Sequence, residues 1–350
     1  MKYIDIVIVG GGQAGLAMAY ALKRINLDCI ILDENSETGY SWRNRYDSLE
    51  LFTPKAYSRL YEHNYVGDER EFPTKNDVAL YLKEFKKSKN LKVMYGEKVI
   101  KVSQKANRNY TIVTHNSTIE AHQVIVATGA FYTPFIPDIH DASIPITLHS
   151  ANYRNANQIP EGKILIVGGG NTGVQIAAEL SSTHEVHLSI SKEPKRISTT
   201  LLGKSIFWWF DKLQILKLKP NTILGEKLRK AEPLIGHDFV TVLNSVSIHG
   251  KLEEISNKVA YFKGKSSLEP DAVIWATGYK NDYSWIKVEN ALDIDQKPNH
   301  HQGISSISGL YYIGLSWQRN RASGLIHGVT EDAEFIAKHI DKNLNTRRNK

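Results

Sequence analysis

The chain has 350 residues, of which 41% are hydrophobic and 9% aromatic, so it is long enough for two ordinary domains. Its net charge of +7 suits a site that attracts phosphate groups, and since the lysines are dispersed we expect no nucleic-acid partner. The only cysteine, Cys29, lies in an apolar run, which excludes an intrachain disulfide and a CxxC redox pair.

The N-terminal segment begins directly with a strand pattern at residues 3–9 and has no basic, apolar leader. The chain also lacks a run of about 18 apolar residues that could cross a bilayer. These features predict a cytoplasmic protein without stable membrane insertion.

A strand, a glycine turn and a helix follow one another at the start of the chain. Residues 4–9 have the pattern of a buried strand, residues 10–15 read GGGQAG, and residues 16–23 have helical spacing. In such a unit the glycines permit the tight turn, the approach of a pyrophosphate and close helix packing. The next apolar run ends at Asp33, where the unit places its ribose-binding acid, and this favours the adenosine ribose of FAD.

The same pattern recurs in the middle of the chain. An apolar run at 164–167 precedes GGGNTG at 168–173, a helical pattern at 174–180 and a strand pattern at 186–190. Ser191, Lys192, Lys195 and Arg196 follow, so hydroxyls and cations stand where the first unit has an acid. This favours the 2′-phosphate of NADPH over NADH, with a merely solvated turn as the alternative.

Two further strand patterns, at 124–130 and 272–279, both end in Ala-Thr-Gly and are expected to close the two nucleotide domains, although packing alone would also explain them. A strand pattern at 310–315 and a helical pattern at 328–340 return the chain to the first domain. The sequence therefore predicts an α/β fold of two Rossmann-like domains. The FAD-binding domain comprises residues 1–154 and 286–350, and the NADP-binding domain, residues 155–285, is inserted in it.

Several short motifs carry a resemblance to a known family. GYSWR at 39–43, RYDSL at 45–49, LFTP at 51–54 and FPTK at 72–75 occur in the order typical of that family. With ATGY at 276–279 and GLSWQ at 314–318, the chain resembles the flavin-containing monooxygenases of the bacterial CzcO-like and plant YUCCA-like type. Their signature F-x-G-x-x-x-H-x-x-x-[YFW] is half present, because His149 and Tyr153 match whereas Ser143 and Pro145 replace the Phe and Gly.

The resemblance implies that NADPH reduces FAD and that the reduced flavin adds O₂ as a C4a-(hydro)peroxide. One oxygen atom then passes to a small soft nucleophile, such as a sulfide or amine, or to a carbonyl. Phe52 stands where animal-type enzymes have an asparagine near the flavin, so we expect poor amine N-oxygenation. NADH stays open as a second donor.

The resemblance and the glycine turns together give two sets of site residues. For FAD they are Gly10, Gly12, Gln13, Ala14, Gly15, Asp33, Trp42, Arg43, Thr53, Thr128, Gly129 and Gly314. For NADP they are Gly168, Gly170, Asn171, Thr172, Gly173, Ser191, Lys192, Thr277 and Gly278. No catalytic residue is assigned, but Arg43, Phe52 and Trp317 are candidates near the flavin. We expect no metal site, because the histidines lack ligand spacing.

Two other functions stay open at this stage. One is an NAD(P)H-dependent reductase of the ferredoxin or flavodoxin type, and the other is a CzcO-like accessory flavoprotein linked to metal-ion efflux. The aromatic segment 206–218 is interpreted as a lid or a contact in a homodimer, with attachment to a membrane surface as the alternative.

Overall fold

The structure is a computed structural model that describes residues 2–139, 143–193, 195–230, 233–236 and 238–348. In chain order its strands are β1 (Lys2–Val9), β2 (Ile30–Leu32), β3 (Val93–Met94), β4 (Val99–Gln104), β5 (Tyr110–Thr114), β6 (Thr118–Val126), β7 (Thr133–Pro134), β8 (Ile146–His149), β9 (Lys163–Val167), β10 (Glu185–Ser189), β11 (Arg196–Ile197), β12 (Thr200–Leu201), β13 (Lys204–Ser205), β14 (Leu234–Ile235), β15 (Ser247–His249), β16 (Leu252–Ser256), β17 (Val259–Phe262), β18 (Ser267–Leu268), β19 (Ala272–Trp275), β20 (Tyr279–Lys280), β21 (Ile286–Lys287), β22 (His300–His301), β23 (Ile304–Ser305) and β24 (Leu310–Tyr312). The helices are α1 (Gln13–Arg24), α2 (Tyr40–Arg43), α3 (Lys75–Ser88), α4 (Asn171–Leu180), α5 (Ile206–Lys212), α6 (Ile223–Lys230), α7 (Asp238–Ser245) and α8 (Val329–Arg348). Short 3₁₀ turns lie at Lys55–Tyr57, Ala156–Gln158, Ile215–Lys217 and Arg321–Gly324.

The first sheet has a parallel centre in which β24, β6, β1, β2 and β3 are neighbours. β4 and β5 extend it from β6 as an antiparallel meander, and β21 pairs with β4. Alternate residues of β1 enter different cores: Ile6 and Ile8 pack with α1 and α8, whereas Val7 and Val9 pack on the opposite face. Burial on both faces explains why residues 6–9 of this strand are all apolar.

The second sheet is parallel throughout, in the order β15, β10, β9, β19, β8. Ile164 and Ile166 of β9 pack with α4 and α7, and Leu165 and Val167 pack on the other face beneath the antiparallel strands β16 to β18. Two sheets with helical layers make a mixed α/β fold, as the sequence predicts. The helices extend beyond the predicted limits, since α1 starts at the glycine turn itself and α8 continues past residue 340.

The chain passes between the two sheets through a short antiparallel ribbon. β7 leads out of the first sheet and β20 leads back, with Tyr279 paired to Pro134 and Lys280 to Thr133. Strand β8 already belongs to the second sheet, although it lies within residues 1–154 that the sequence assigns to the first domain. The exact domain limits therefore stay a prediction. Within the described residues, no helix combines the length and apolar character that crossing a bilayer requires.

Candidate functional site

The first glycine turn links the carboxyl end of β1 to the N-terminus of α1. Gly10 has φ +107°, and a Cβ there would lie 2.5 Å from the carbonyl oxygen of Ala127. A Cβ on Gly15 would lie 1.9 Å from the carbonyl oxygen of Gly10, whereas a Cβ on Gly12 would meet no atom within 4 Å. Gly10 and Gly15 thus serve the packing of the turn, and Gly12 leaves open space beside the helix end.

The N-terminus of α1 is suited to an anion. Gly12 caps the helix without a side-chain hydrogen bond, and the first turn contains no acidic residue. The first N–H groups of a helix have no partners within the helix, and its dipole places partial positive charge there. An N-terminus of this kind in a glycine turn is a ready site for a phosphate group.

Asp33 lies at the end of β2, directly beside this turn. Its Oδ2 accepts a hydrogen bond of 2.5 Å from the backbone N–H of Gly11, and its Oδ1 accepts from the N–H and side-chain amide of Asn35. The carboxylate is 8% exposed. These bonds orient the acid at the mouth of the glycine turn, where a carboxylate can accept from ribose hydroxyls.

The other strand ends of the first sheet meet at the same edge. Backbone N–H groups of Ala127 and Ile313 donate to Val9 and Val126, so the segments after β6 and β24 lie beside the glycine turn. The backbone N of Thr128 would be 3.1 Å from a Cβ on Gly10, and a Cβ on Gly314 would be 2.8 Å from that of Ala14. Gly129 has φ +74° and open space around its Cα.

Helix α2 brings Trp42 to the start of α1. The indole Nε1–H of Trp42 donates to Gln13 Oε1 over 3.2 Å, so these two predicted site residues are in contact. Arg43 instead pairs with Glu37, and its side chain is 44% exposed. Of the two neighbours, only Trp42 is thus held against the glycine turn by the contacts observed.

Phe52 lies under the aromatic helix α5, and Thr53 follows it in the chain. The ring of Phe207 stacks on Phe52 with centroids 6.1 Å apart and lies 6.1 Å from Tyr57. Thr53 is buried, and its Oγ1 lies 2.7 Å from Ser58 Oγ. Because α5 packs on the segment that contains Phe52, it covers this part of the molecule as a lid does.

The loop after β24 contains Trp317, which is 6% exposed and has φ +57°. The next residues surround the buried first turn of α8. Arg319 Nη1 lies 3.3 Å from Asp332 Oδ1, and Asp332 is 0% exposed. Its second oxygen has no hydrogen-bond partner among the residues that the structure describes. Burial raises the pKa of Asp332 to about 6, although the Ser323 hydroxyl and Arg319 lower it.

The second glycine turn repeats the geometry of the first. Gly168 has φ +126°, and a Cβ there would lie 2.3 Å from the carbonyl oxygen of Ala276. A Cβ on Gly173 would lie 2.0 Å from the carbonyl oxygen of Gly168, and one on Gly170 would meet no atom within 4 Å. Gly170 caps α4, which begins with Asn171 and Thr172, and again neither a side-chain cap nor an acid occupies the first turn.

The two turns differ at the residue that follows the second strand. The N–H of Gly10 donates to Leu32 O, and the N–H of Gly168 donates to Ser189 O, so Asp33 and Ile190 hold equivalent positions. A Cβ on Gly169 would lie 2.7 Å from Ile190 Cγ2. The second site therefore has a branched apolar side chain where the first has a carboxylate.

The cations predicted for the second site lie on its outer side. Ser191 and Lys192 are exposed. The guanidinium of Arg196 lies 4.5 Å from the centroid of Phe239 and pairs with Glu193 over 2.9 Å. Arg196 also lines a small pocket with Asn171 at the start of α4. The sequence predicts Arg196 near this site but does not indicate its stacking on the ring of Phe239 in α7.

Thr277 and Gly278 lie where the second sheet passes into the ribbon. The Thr277 hydroxyl donates to the carbonyl of Phe135, and Gly278 has φ +81°. His149 Nδ1 accepts from the N–H of Ala151, so Nε2 carries the proton and donates to Gly278 O over 2.9 Å. Burial lowers the pKa of His149 more than this bond raises it, which keeps the imidazole neutral.

Arg45 contacts the ribbon from the first sheet's side. Its guanidinium lies 5.0 Å from the ring of Phe131 and 5.2 Å from the ring of Tyr279, and it donates to the Tyr279 hydroxyl over 2.5 Å. The neighbouring Tyr46 hydroxyl donates to Gln175 Oε1 of α4 over 2.7 Å. Residues 45–46 thus join the two halves, a role that sequence patterns cannot indicate because the contacts span about 130 residues or more.

Comparison with known proteins identifies relatives along nearly the whole chain. Residues 7–212 match the family described as pyridine nucleotide-disulphide oxidoreductase. The chain is 40% identical over 342 residues to the uncharacterized oxidoreductase CzcO of Bacillus velezensis, which covers 96% of this chain and 99% of that relative. It is 24% identical over 368 residues to a probable indole-3-pyruvate monooxygenase of the YUCCA type from Arabidopsis thaliana, across 94% of this chain and 89% of that protein.

A solved structure has the same fold. The flavin-containing monooxygenase from Stenotrophomonas maltophilia superposes with a TM-score of 0.82 over 98% of this chain and 100% of its own. Its sequence identity is 24%, so this likeness concerns the fold.

Proposed function

Because this chain belongs to the pyridine nucleotide-disulphide oxidoreductase family, as a flavoprotein enzyme of the flavin monooxygenase type, we propose that it is an FAD-dependent, NADPH-oxidising monooxygenase. The observation that carries the proposal is the pair of glycine turns, each open at one glycine and each followed by a helix without a side-chain cap. Two such sites suit two dinucleotides. When bound, FAD would supply the redox chemistry and the activation of O₂.

FAD belongs at the first site in this proposal. Asp33 offers a carboxylate to ribose hydroxyls, and Gly12 and Gly314 border the helix N-terminus. Trp42 would lie along the cofactor, since it is bonded to Gln13 in the first turn of α1. Residues 1–154 and 286–350 then form the FAD-binding domain and residues 155–285 the inserted NADP-binding domain, with the limit near β8 to be refined.

NADPH belongs at the second site. Ile190 offers no acceptor to a 2′-hydroxyl and no negative charge to repel a 2′-phosphate. Lys192 and Arg196 supply cations on the same side, and Arg196 is held by the ring of Phe239. An arginine guanidinium is well suited to bind phosphate through two parallel hydrogen bonds.

The substrate of this proposal is a small sulfide or carbonyl compound, with O₂ as co-substrate and amines disfavoured. Phe52 stacks on Phe207 beneath α5, and a phenyl ring cannot donate or accept a hydrogen bond as an amide does. The aromatic cover would keep water away from the reacting centre. In the sulfide reaction, NADPH, a proton, O₂ and the sulfide give NADP⁺, water and the sulfoxide.

A thiol-dependent activity does not fit the chain. Cys29 is its single cysteine, and burial raises the pKa of the thiol to about 12. A thiol in this state is a poor nucleophile and has no partner cysteine within the chain. The family match at 7–212 therefore concerns the nucleotide-binding fold and not disulfide reduction.

Turnover of an aryl methyl sulfide tests the proposal. We expect the FAD-loaded protein to consume NADPH under air and to form more than half a mole of sulfoxide for each mole of O₂ consumed, with the second oxygen atom of each O₂ leaving as water. If all of the O₂ appears as hydrogen peroxide with sulfides and ketones alike, or if ferredoxin or flavodoxin accepts electrons faster than O₂, the monooxygenase proposal is wrong.

The donor assignment has its own test in Ile190→Asp. An acid at this position would repeat the Asp33 arrangement, accept from a 2′-hydroxyl and repel a 2′-phosphate. We expect kcat/KM for NADPH to fall about 100-fold and that for NADH to rise. Lys192→Ala should raise the KM for NADPH more than that for NADH. Equal changes for both donors in the two variants would contradict the phosphate assignment.

A further inference from the structure

The outer side of α5 and the β12–β13 hairpin expose apolar and basic side chains together. Leu202 is 83% exposed and Leu213 is 65% exposed. The ammonium groups of Lys204 and Lys212 lie 6.0 Å and 5.8 Å from the ring of Trp208, so the hairpin and the helix end form one surface. This leucine–lysine surface comprises Leu201, Leu202, Lys204, Trp208, Lys212 and Leu213.

The opposite side of α5 is already in use. Phe207 and Phe210 are 2% and 6% exposed and pack in one cluster with Phe52 and Tyr57. The Trp209 indole fixes the hairpin to the helix, because its Nε1–H donates to Leu201 O over 3.0 Å. The hairpin and the helix therefore have fixed positions. Leu202 and Leu213 remain exposed to water, because they take no part in the packing of α5 on Phe52.

The segment that follows, residues 213–230, also combines exposed apolar and basic side chains. Ile223 and Leu224 at the start of α6 are 92% and 51% exposed. Further exposed basic residues between 213 and 230 are Lys217, Lys219, Lys227, Arg229 and Lys230. Residues 201–230 contain only Asp211 and Glu226 as acids, so this stretch supplies most of the net charge of +7.

We propose that the leucine–lysine surface docks the protein on a lipid bilayer that carries anionic headgroups. Leucine and tryptophan side chains would enter the headgroup layer while lysines remain at its phosphates, the pattern of a segment that lies on a membrane. Each lysine near an anionic leaflet contributes attraction that salt screens. Docking of this kind needs no membrane-spanning helix.

The charge and the exposed leucines of this surface disfavour a second copy of the chain or a nucleic acid as its partner. In a symmetric dimer the same surface of two copies would meet, and Lys204 and Lys212 would face like charges. A nucleic acid would neutralise the lysines but leave Leu202 and Leu213 in water. A bilayer satisfies both kinds of side chain.

The location of the surface has a functional consequence. Because α5 rests on Phe52, a bound bilayer would lie against the outside of the lid, and apolar substrates dissolved in lipid would reach it directly. This step rests on the proposed function, whereas the docking does not. Vesicle binding is measured without turnover, so the two can fail separately.

Flotation of the FAD-loaded protein with vesicles tests the proposal. We expect it to bind phosphatidylcholine vesicles that contain about one third phosphatidylglycerol, and to bind pure phosphatidylcholine at least tenfold more weakly. The double variant Leu202→Asp with Leu213→Asp should lose binding. The matched control, Val66→Asp with Ile294→Asp, changes residues that are 94% and 98% exposed elsewhere and should bind as the wild type does.

Lys204→Gln with Lys212→Gln measures the charge contribution. Its partition onto the anionic vesicles should fall about twentyfold, and its binding should depend less on salt than that of the wild type. FAD content and thermal unfolding establish that each variant is folded. The proposal is overturned if wild type does not bind, if the Asp double variant binds equally, or if that variant instead abolishes a dimer seen without vesicles.

Discussion

Gly12 and Gly170 are glycines whose Cα atoms face open space and whose backbone angles any residue can adopt. Their φ values are −74° and −81°, and an added Cβ would meet no protein atom within 4 Å. A side chain at either position would therefore leave the fold intact and occupy the space at the helix N-terminus that a pyrophosphate needs.

Valine at these two positions separates the two cofactor sites. Gly12→Val should give folded but colourless protein, while Gly170→Val should stay yellow and be reduced by NADPH at least about 100-fold more slowly. The flavin absorbance and anaerobic reduction measure both effects. Gly15→Val is the contrasting control, because its Cβ would lie 1.9 Å from a carbonyl oxygen and should prevent folding. Retained FAD in Gly12→Val would contradict the first-site assignment.

Asp332 makes stability depend on pH in an unusual direction. Burial raises its pKa from 3.8 to about 6, so between these values the folded protein binds more protons than the unfolded chain. The stability that the neutral carboxyl contributes is present below the unfolded pKa and is lost as pH rises through the folded pKa.

The variant Asp332→Asn stays neutral at every pH and should not show this loss. Its free energy of unfolding, relative to that of the wild type, should rise by about 2 to 3 kcal/mol between about pH 4 and pH 7. Urea unfolding at both pH values measures the difference. The attraction of Arg319 already lowers the folded pKa of Asp332, so the loss of that ion pair in the variant is included in the expected rise. A constant difference would show that Asp332 ionises normally.

At the scale of elements, the two strand–turn–helix units follow directly from the sequence. Each has a buried strand, a glycine turn and a helix within about 20 residues, and the close approach of the last turn glycine to the carbonyl oxygen of the first is equally local. The contact of α5 with Phe52 joins segments about 150 residues apart, and no periodicity records it. The sequence therefore predicted a lid or an interface at 206–218 but could not say what lies beneath it.

Some residues of the candidate site can likewise be recognised in the sequence, whereas others are identified only by the folded structure. Asp33 and the turn glycines are recognisable because their roles depend on neighbours in the chain. The sequence does not indicate that Ile190 is equivalent to Asp33, because its apolar side chain continues the strand pattern at 186–190 whereas the strand ends at Ser189. The hydrogen bond from the turn glycine marks the equivalent residue, and only the folded structure has that bond.

Phe207 tests whether α5 protects the reaction. Phe207→Ala removes the ring that stacks on Phe52 and Tyr57, so water should reach the site and the share of O₂ released as hydrogen peroxide should rise about three- to tenfold. Peroxide and sulfoxide are measured in one reaction, with FAD content as the check on folding. Trp208→Ala, on the outer side of the same helix, should leave this ratio unchanged. If Phe207→Ala forms sulfoxide and hydrogen peroxide in the same ratio as the wild type, α5 does not protect the reaction from water.

At the scale of the whole molecule, the two sheets are joined by the ribbon of β7 and β20 and by contacts of residues 45–50 with α4. Besides the bond from Tyr46, the Ser48 hydroxyl donates to Glu179 over 2.6 Å, and Gln175 donates to Glu50 O over 3.0 Å. Tyr46 and Leu49 also pack in the apolar cluster of the second sheet. Apart from these two side chains the connection is a short ribbon with a few polar bonds, which resembles a hinge more than a continuous core. The position of one sheet relative to the other can therefore depend on single side chains.

Arg45 is the side chain on which we expect that arrangement to depend most. It lies against the rings of Phe131 and Tyr279 and donates to the Tyr279 hydroxyl, so it ties the first sheet's segment to β20 and to the chain just before β7. Arg45→Met keeps most of the apolar part of the side chain but removes the charge and the donor. If the bound nicotinamide must be brought to the flavin by this arrangement, flavin reduction should slow about tenfold while FAD content stays full.

Stopped-flow reduction at saturating NADPH separates this effect from binding. The limiting rate should fall, the NADPH concentration at half-maximal rate should change less than about twofold, and Tyr279→Phe should show a smaller effect because it keeps both ring contacts. Arg59→Met, which removes a partly exposed pairing with Glu69 away from the ribbon, serves as control. An unchanged limiting rate in Arg45→Met would mean that the ribbon and the contacts to α4 hold the two halves together without it. A large loss of NADPH affinity with a normal limiting rate would instead assign Arg45 to the binding of the donor.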